Sequence, residues 1–133
     1  MEMSVREIYE ELLIDKTKRA KALVEKAKGI LGIDKDTGEP LILVSRSKLT
    51  DRLLISLYLC GKYFASELGL VESPSATLEE LSRKLGISKA VISARITELK
   101  REGKIRMINR GEYEVIFSMI GSILDEAHEK IGD

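Results

Sequence analysis

Between Ser82 and Arg110 the chain carries nine basic side chains: Arg83, Lys84, Lys89, Arg95, Lys100, Arg101, Lys104, Arg106 and Arg110. Only Glu98 and Glu102 oppose them, which leaves a local net charge of +7. The whole chain holds 22 Lys and Arg against 22 Asp and Glu, so everything outside this stretch sums to −7. A run of cations of this density is the chemistry that neutralises a polyanionic backbone, and its confinement to one segment gives it a direction. Short side chains lie among the cations: Ser88, Ala90, Ser93, Ala94 and Thr97. Their hydroxyls donate or accept hydrogen bonds, and their small size permits close approach to a partner surface.

Other chemistry is poorly provided for. Cys60 is the single cysteine and His128 the single histidine. One of each does not furnish a tetrahedral zinc set, and no intrachain disulfide is available. A Ser-His-Asp or Cys-His mechanism would rest wholly on His128, which has no local signature around it. Neither a phosphate-cradling Gly loop with Lys, nor GxGxxG, nor a nucleophile elbow occurs. Glu10-Glu11 and Glu79-Glu80 read as solvated or capping carboxylates. An enzyme is not expected, and neither a cofactor nor a metal is implied.

The cationic segment sits on a regular series of elements. Thr77-Leu-Glu-Glu80 is a capping box that opens a short helix, Leu78 to Leu85, with Leu78, Leu81 and Leu85 inward. Gly86-Ile-Ser88 follows, and Ser88 caps a helix from Lys89 to Glu102 with Ile92, Ile96 and Leu99 inward. After Gly103 the period changes from 3.6 to 2. Asn109-Arg-Gly111 then predicts a three-residue hairpin loop, a type I turn with Gly111 in the left-handed position of a G1 bulge. That register sets Met107 opposite Tyr113, Ile105 opposite Val115 and Arg106 opposite Glu114.

Thr77 to Phe117, TLEELSRKLGISKAVISARITELKREGKIRMINRGEYEVIF, resembles the winged helix-turn-helix family in the style of MarR- and ArsR-type regulators. The resemblance implies a mainly α fold, a three-helix core with a β-hairpin wing, and binding to double-stranded DNA. In such folds the second helix lies in the major groove. Ser88, Lys89, Ala90, Ser93, Ala94 and Thr97 would then face the bases, with Lys89 toward a guanine edge or a phosphate. Arg110 would reach a minor groove from the hairpin tip, and Lys100, Arg101, Lys104 and Arg106 would lie toward the phosphates. Ala90 and Ala94 stand where many relatives carry a large polar residue, which shifts the balance toward shape readout and phosphate contact.

Flanking elements complete the layout. A capping box at Ser4-Val-Arg-Glu7 opens a helix expected to run to Lys28, with Val5, Ile8, Leu12, Leu23 and Ala27 on one stripe. Gly29 and Gly32 are expected to end it. The charges Asp15 to Arg19 weaken the stripe. Asp34 to Pro40 is turn-rich, and Leu41 to Val44 reads as a short strand. Thr50 caps a helix to about Leu68 that is apolar on many sides and hence central. Phe117, Ile120, Leu124, Ala127 and Ile131 repeat at 3-4-3-4, a coiled-coil seam. Phe64 and Phe117 are read as core, and His128 as solvated. The expected units are 1–33, a dimerising N-terminal helix; 34–49, a connector; 50–117, the winged helix-turn-helix; and 118–133, a C-terminal helix that shares in a homodimer.

Composition sets the remaining bounds. With 133 residues and 44% apolar content, the chain suits one domain with flanking helices. Its apolar runs are too short to span a membrane, and the acidic N-terminus lacks an apolar signal core, so a cytoplasmic protein is expected. The absence of Gln, with Asn109 as the single Asn, is a bias of hyperthermophile proteins. Two other readings stand beside DNA regulation. One is a protein-interaction winged helix within a nucleic-acid machine. The other is a ligand-responsive regulator with an apolar cavity lined from residues 5–31 and 53–68.

Overall fold

A computed structural model describes residues 2–132. The chain begins with a six-residue helix, α1 (Val5–Glu10), and a second helix, α2 (Lys16–Ala27). A hairpin of β1 (Leu31–Ile33) and β2 (Pro40–Ile42) leads to the long α3 (Asp51–Glu67). Next come β3 (Ala76–Thr77), α4 (Leu78–Leu85), α5 (Lys89–Arg101), β4 (Ile105–Asn109), β5 (Glu112–Val115) and α6 (Ile120–Ile131).

The first helix differs from the expected single rod to Lys28. Glu11 closes α1, and Asp15 takes extended backbone angles and accepts the Lys18 N–H, starting α2 afresh. The break falls beside the charged stretch that weakens the apolar stripe. No core surface lies under residues 2–22, all of them exposed, to hold the two halves in line. The helix end is also earlier than expected. Gly29 is left-handed at φ 83°, whereas Gly32 belongs to β1 and pairs with Leu41. The short strand lies at Pro40–Ile42 rather than Leu41–Val44, and its hairpin crosses the expected boundary at residue 33.

Helix α3 is the axis of the core. Leu53 through Gly61 are all buried, and the β1–β2 hairpin, α4, α5, β5 and α6 pack around it. Gly61 lets the hairpin approach closely: a β-carbon there would stand 2.5 Å from Pro40 Cβ. Tyr58 is buried and donates its hydroxyl to Glu80 Oε2 at 2.7 Å, which Lys62 also reaches at 3.1 Å. Glu80 is thus the tie between α3 and α4. The Thr77 hydroxyl accepts the Glu80 N–H as the capping box predicts, but the carboxylate goes to Tyr58 and Lys62. Burial and Glu80 together push the Tyr58 hydroxyl well above the tyrosine range. Cys60 is fully buried, and desolvation pushes its thiol up as well.

The three-stranded sheet has the order β3-β5-β4, both pairs antiparallel. Ile105–Val115, Arg106–Glu114 and Met107–Tyr113 pair as the sequence register predicts. The turn is shorter than expected, because Asn109 pairs with Glu112 and leaves Arg110-Gly111 as the tip, with the irregularity between Met107 and Asn109. Gly111 is left-handed at φ 74°. Strand β3 escaped the sequence reading: two residues are too few to show a period, and Ala76-Thr77 reads as the run-up to a cap.

At the C-terminus, a 3-10 turn over Phe117–Met119 delivers α6 onto α3 and α2. Ile120, Ile123, Leu124 and Ala127 are all buried there, so this seam is filled within the chain. Lys26 pairs with Asp125 at 3.1 Å, and His128, though exposed, donates Nε2–H to the Lys26 carbonyl at 2.7 Å. Phe117 is not core: it is 40% exposed and stacks at the surface with Tyr63. The whole is a mainly α winged helix-turn-helix with flanking helices. Among the described residues, no helix is long and apolar enough to cross a membrane.

Candidate nucleic-acid interface

The geometry of the helix pair is set by its turn. Gly86 closes α4 in the left-handed region, where a β-carbon would be strained. Ser82 donates its hydroxyl to the Ile87 carbonyl at 2.6 Å, bridging the turn with a side chain short enough to leave the helices in contact. Ser88 then accepts the Val91 N–H and starts α5. Leu81, Leu85, Ile92, Ile96 and Leu99 are buried, which fixes the rotation of α5 against α4 and α3.

That rotation turns a defined stripe outward. Ala90, Ala94, Thr97 and Arg101 follow one another at 4-3-4 spacing and are all exposed. Ser88, Lys89, Ser93 and Lys100 are exposed beside them. The Thr97 hydroxyl donates to the Ser93 carbonyl at 3.1 Å, so only its lone pairs remain for a partner. Val91 was not picked out from sequence, yet it is 38% exposed. Its spacing of three from Ala94 is the signal that finds it, masked by the neighbouring core residue Ile92.

Electrostatics divide the nine cations into two groups. Lys84 pairs with Glu39 (3.1 Å), Lys89 with Glu79 (3.3 Å), Arg95 with Glu98 (3.0 Å) and Arg106 with Glu114 (2.6 Å). Lys104 pairs with Glu102 at 3.3 Å and Glu126 at 3.7 Å. Among the described residues, Arg83, Lys100, Arg101 and Arg110 have no acidic partner. The first pairs are not equivalent. Lys89 and Glu79 are both largely in water, where an ion pair contributes about 0–1 kcal/mol and yields readily to a phosphate.

Lys104 departs from the expected backbone-facing set. Its side chain is only 19% exposed, drawn down where β4 leaves α5 and meets α6. Glu126 is distant in sequence, so that partner was invisible before the fold. Arg106 keeps an exposed guanidinium, but Glu114 holds it through both Nε and a terminal nitrogen. Arg110 stands exposed at the hairpin tip. Met107 and Ile108 are exposed on the same wing, a pair of apolar side chains open to solvent. The tip end of the wing is braced by Glu112, which accepts from Ser75 and from Asn109; these bonds hold its carboxyl below the usual range.

The outward stripe of α5, the unpaired Lys100 and Arg101 near its end, and Arg110 at the hairpin tip are all exposed. Neither the curated proteins nor the solved structures include a significant match to the chain. A family model described as winged helix-turn-helix DNA-binding matches residues 70–106, which run from the loop after α3 through β3, α4 and α5 into β4. The chain carries a winged helix-turn-helix DNA-binding domain.

Proposed function

We propose that the protein is a transcriptional regulator that binds double-stranded DNA as a homodimer and selects sites by shape and thymine-methyl contact more than by hydrogen-bonded base readout. The observation that carries this is the outward stripe of α5. Ala90, Ala94 and the adjoining Val91 offer apolar contact of the kind thymine methyls accept, and Arg101 ends the stripe with a free cation. Ser88 opens the helix, where its exposed hydroxyl and the first N–H groups suit a phosphate. Lys89 exchanges Glu79 for a phosphate or a guanine edge. Ser93 and Thr97 take the flank, and Lys100 with Arg110 holds the backbone on either side. Arg106 contributes less, because Glu114 already occupies it, and Lys104 serves the fold.

The test is selection from random duplex DNA, with the selected site titrated against salt. An inverted repeat with half-sites about one helical turn apart, roughly 34–36 Å, supports the dimeric regulator. Lys89→Ala together with Arg110→Ala is expected to weaken binding severalfold or more. Unchanged affinity in that double variant would mean that another face meets the DNA.

The exposed apolar residues Val91, Met107 and Ile108 favour one second reading, a winged helix that docks on another protein of a nucleic-acid machine. It predicts little binding to free duplex at moderate salt.

A further inference from the structure

Two apolar surfaces remain unfilled, and they adjoin. The first is the arm, residues 3–14. Val5, Ile8 and Tyr9 fall at i, i+3 and i+4 on α1, part of the anchor spacing of a helix that lies in a groove, and Leu12 follows in the turn just beyond the helix. All four are exposed, and α1 buries none of its residues. A six-residue helix is far below the length that is stable alone in water, so α1 needs a surface to pack on. The second is a groove of about 910 Å³ between α2, β1, the C-terminal end of α3 and Phe117. Ala20, Leu23, Leu31 and Phe64 line its floor and walls, and Ile14 marks its edge.

Charge matches the two. The arm carries Glu7, Glu10 and Glu11 against Arg6. The groove rim carries Lys16, Arg19 and Lys28 against Glu67, with Arg19 lying 5.1 Å above the Phe117 ring. The arm leaves its stripe exposed to solvent instead of burying it on its own chain, whereas a two-fold axis would let each arm fill the other copy's groove. We infer that the arm of one copy docks in the α2–α3 groove of a second copy, so that the dimer is held by reciprocal arm exchange. This rests on the homodimer reading and names its interface. It also gives the groove an occupant made of the chain itself, in place of a small effector.

Sedimentation velocity on the full chain, without DNA, tests it. The wild type is expected to be a dimer. Ile8→Ser with Leu12→Ser removes two anchors, and Ala20→Arg plugs the groove; each is expected to give a monomer over the micromolar range. Both sites are exposed, so circular dichroism should show the helical signal retained. In a variant that carries both Leu12→Cys and Ala20→Cys, a bismaleimide is expected to bridge one chain to another, whereas bridging confined to single chains would mean that the arm folds back on its own groove and would overturn the exchange. If both disruptive variants stay dimeric, arm exchange is wrong and the dimer reading stands. A monomeric wild type overturns both.

Discussion

The two ends of the chain are amphipathic helices of similar pattern with opposite fates. In α6, Ile120, Ile123, Leu124 and Ala127 are at most 1% exposed against α3 and α2. In α1, Val5, Ile8 and Tyr9 are each about half exposed or more. The difference lies in delivery. Strand β5 and the Phe117–Met119 turn set α6 directly on the core, and Lys26–Asp125 and His128 fasten it. The non-helical Glu11 to Asp15 leads α1 away from any surface. An apolar seam therefore states that a helix needs a partner, and the chain on either side decides whether that partner is its own core.

The sharpest way to break this contrast is paired truncation. Leu124→Ala is expected to lower unfolding free energy by about 2–5 kcal/mol, the range for a buried leucine that leaves a cavity. Leu12→Ala, measured by urea unfolding at a dilution where the chain is monomeric, should change it by no more than about 0.5 kcal/mol. A large loss at Leu12 under those conditions would place the arm on its own core. Next in size is Gly61→Ala, which forces Pro40 and the hairpin off α3 and should cost about 1–3 kcal/mol by overpacking.

The contrast between tied and free cations gives a smaller effect. Arg101→Ala and Arg110→Ala should each reduce the slope of log affinity against log salt by about 0.9 in fluorescence anisotropy titrations on a duplex. Lys104→Ala should leave that slope unchanged, since Glu102 and Glu126 hold the lysine; a change there would put Lys104 on the DNA. The smallest effect is the pH dependence of the α3–α4 tie. Tyr58 ionises less readily folded than unfolded, so its contribution to stability is whole below the ordinary tyrosine value of about 10 and is lost as pH rises above it. Unfolding measured across pH 8–11 should fall more steeply in the wild type than in Tyr58→Phe.

Much of the DNA-facing module was legible because its determinants are local. The Thr77 and Ser88 caps, the Gly86 turn, the buried set Ile92, Ile96 and Leu99, and the first three hairpin pairs follow from short-range sterics and period. The Asn109–Glu112 turn was read one residue too long because a bulge on β4 leaves no mark in an exposed alternation. Strand β3 was missed for want of length. The ties of Lys104 to Glu126 and of Glu80 to Tyr58 were not legible for another reason: each joins residues far apart along the chain.

By itself the sequence determined the helix-turn-helix, the wing register, the polarised +7 segment and the outward face of α5, since each depends on neighbours within about one turn or one hairpin. Only the tertiary structure decided which cations remain free, where the first helix breaks, and that the C-terminal seam is filled while the N-terminal stripe is not. Several of those outcomes rest on contacts between residues tens of positions apart, as Lys84–Glu39, Lys104–Glu126 and Lys26–Asp125 show. Charge and apolarity in the sequence state what must be compensated, and the fold alone supplies the compensating group.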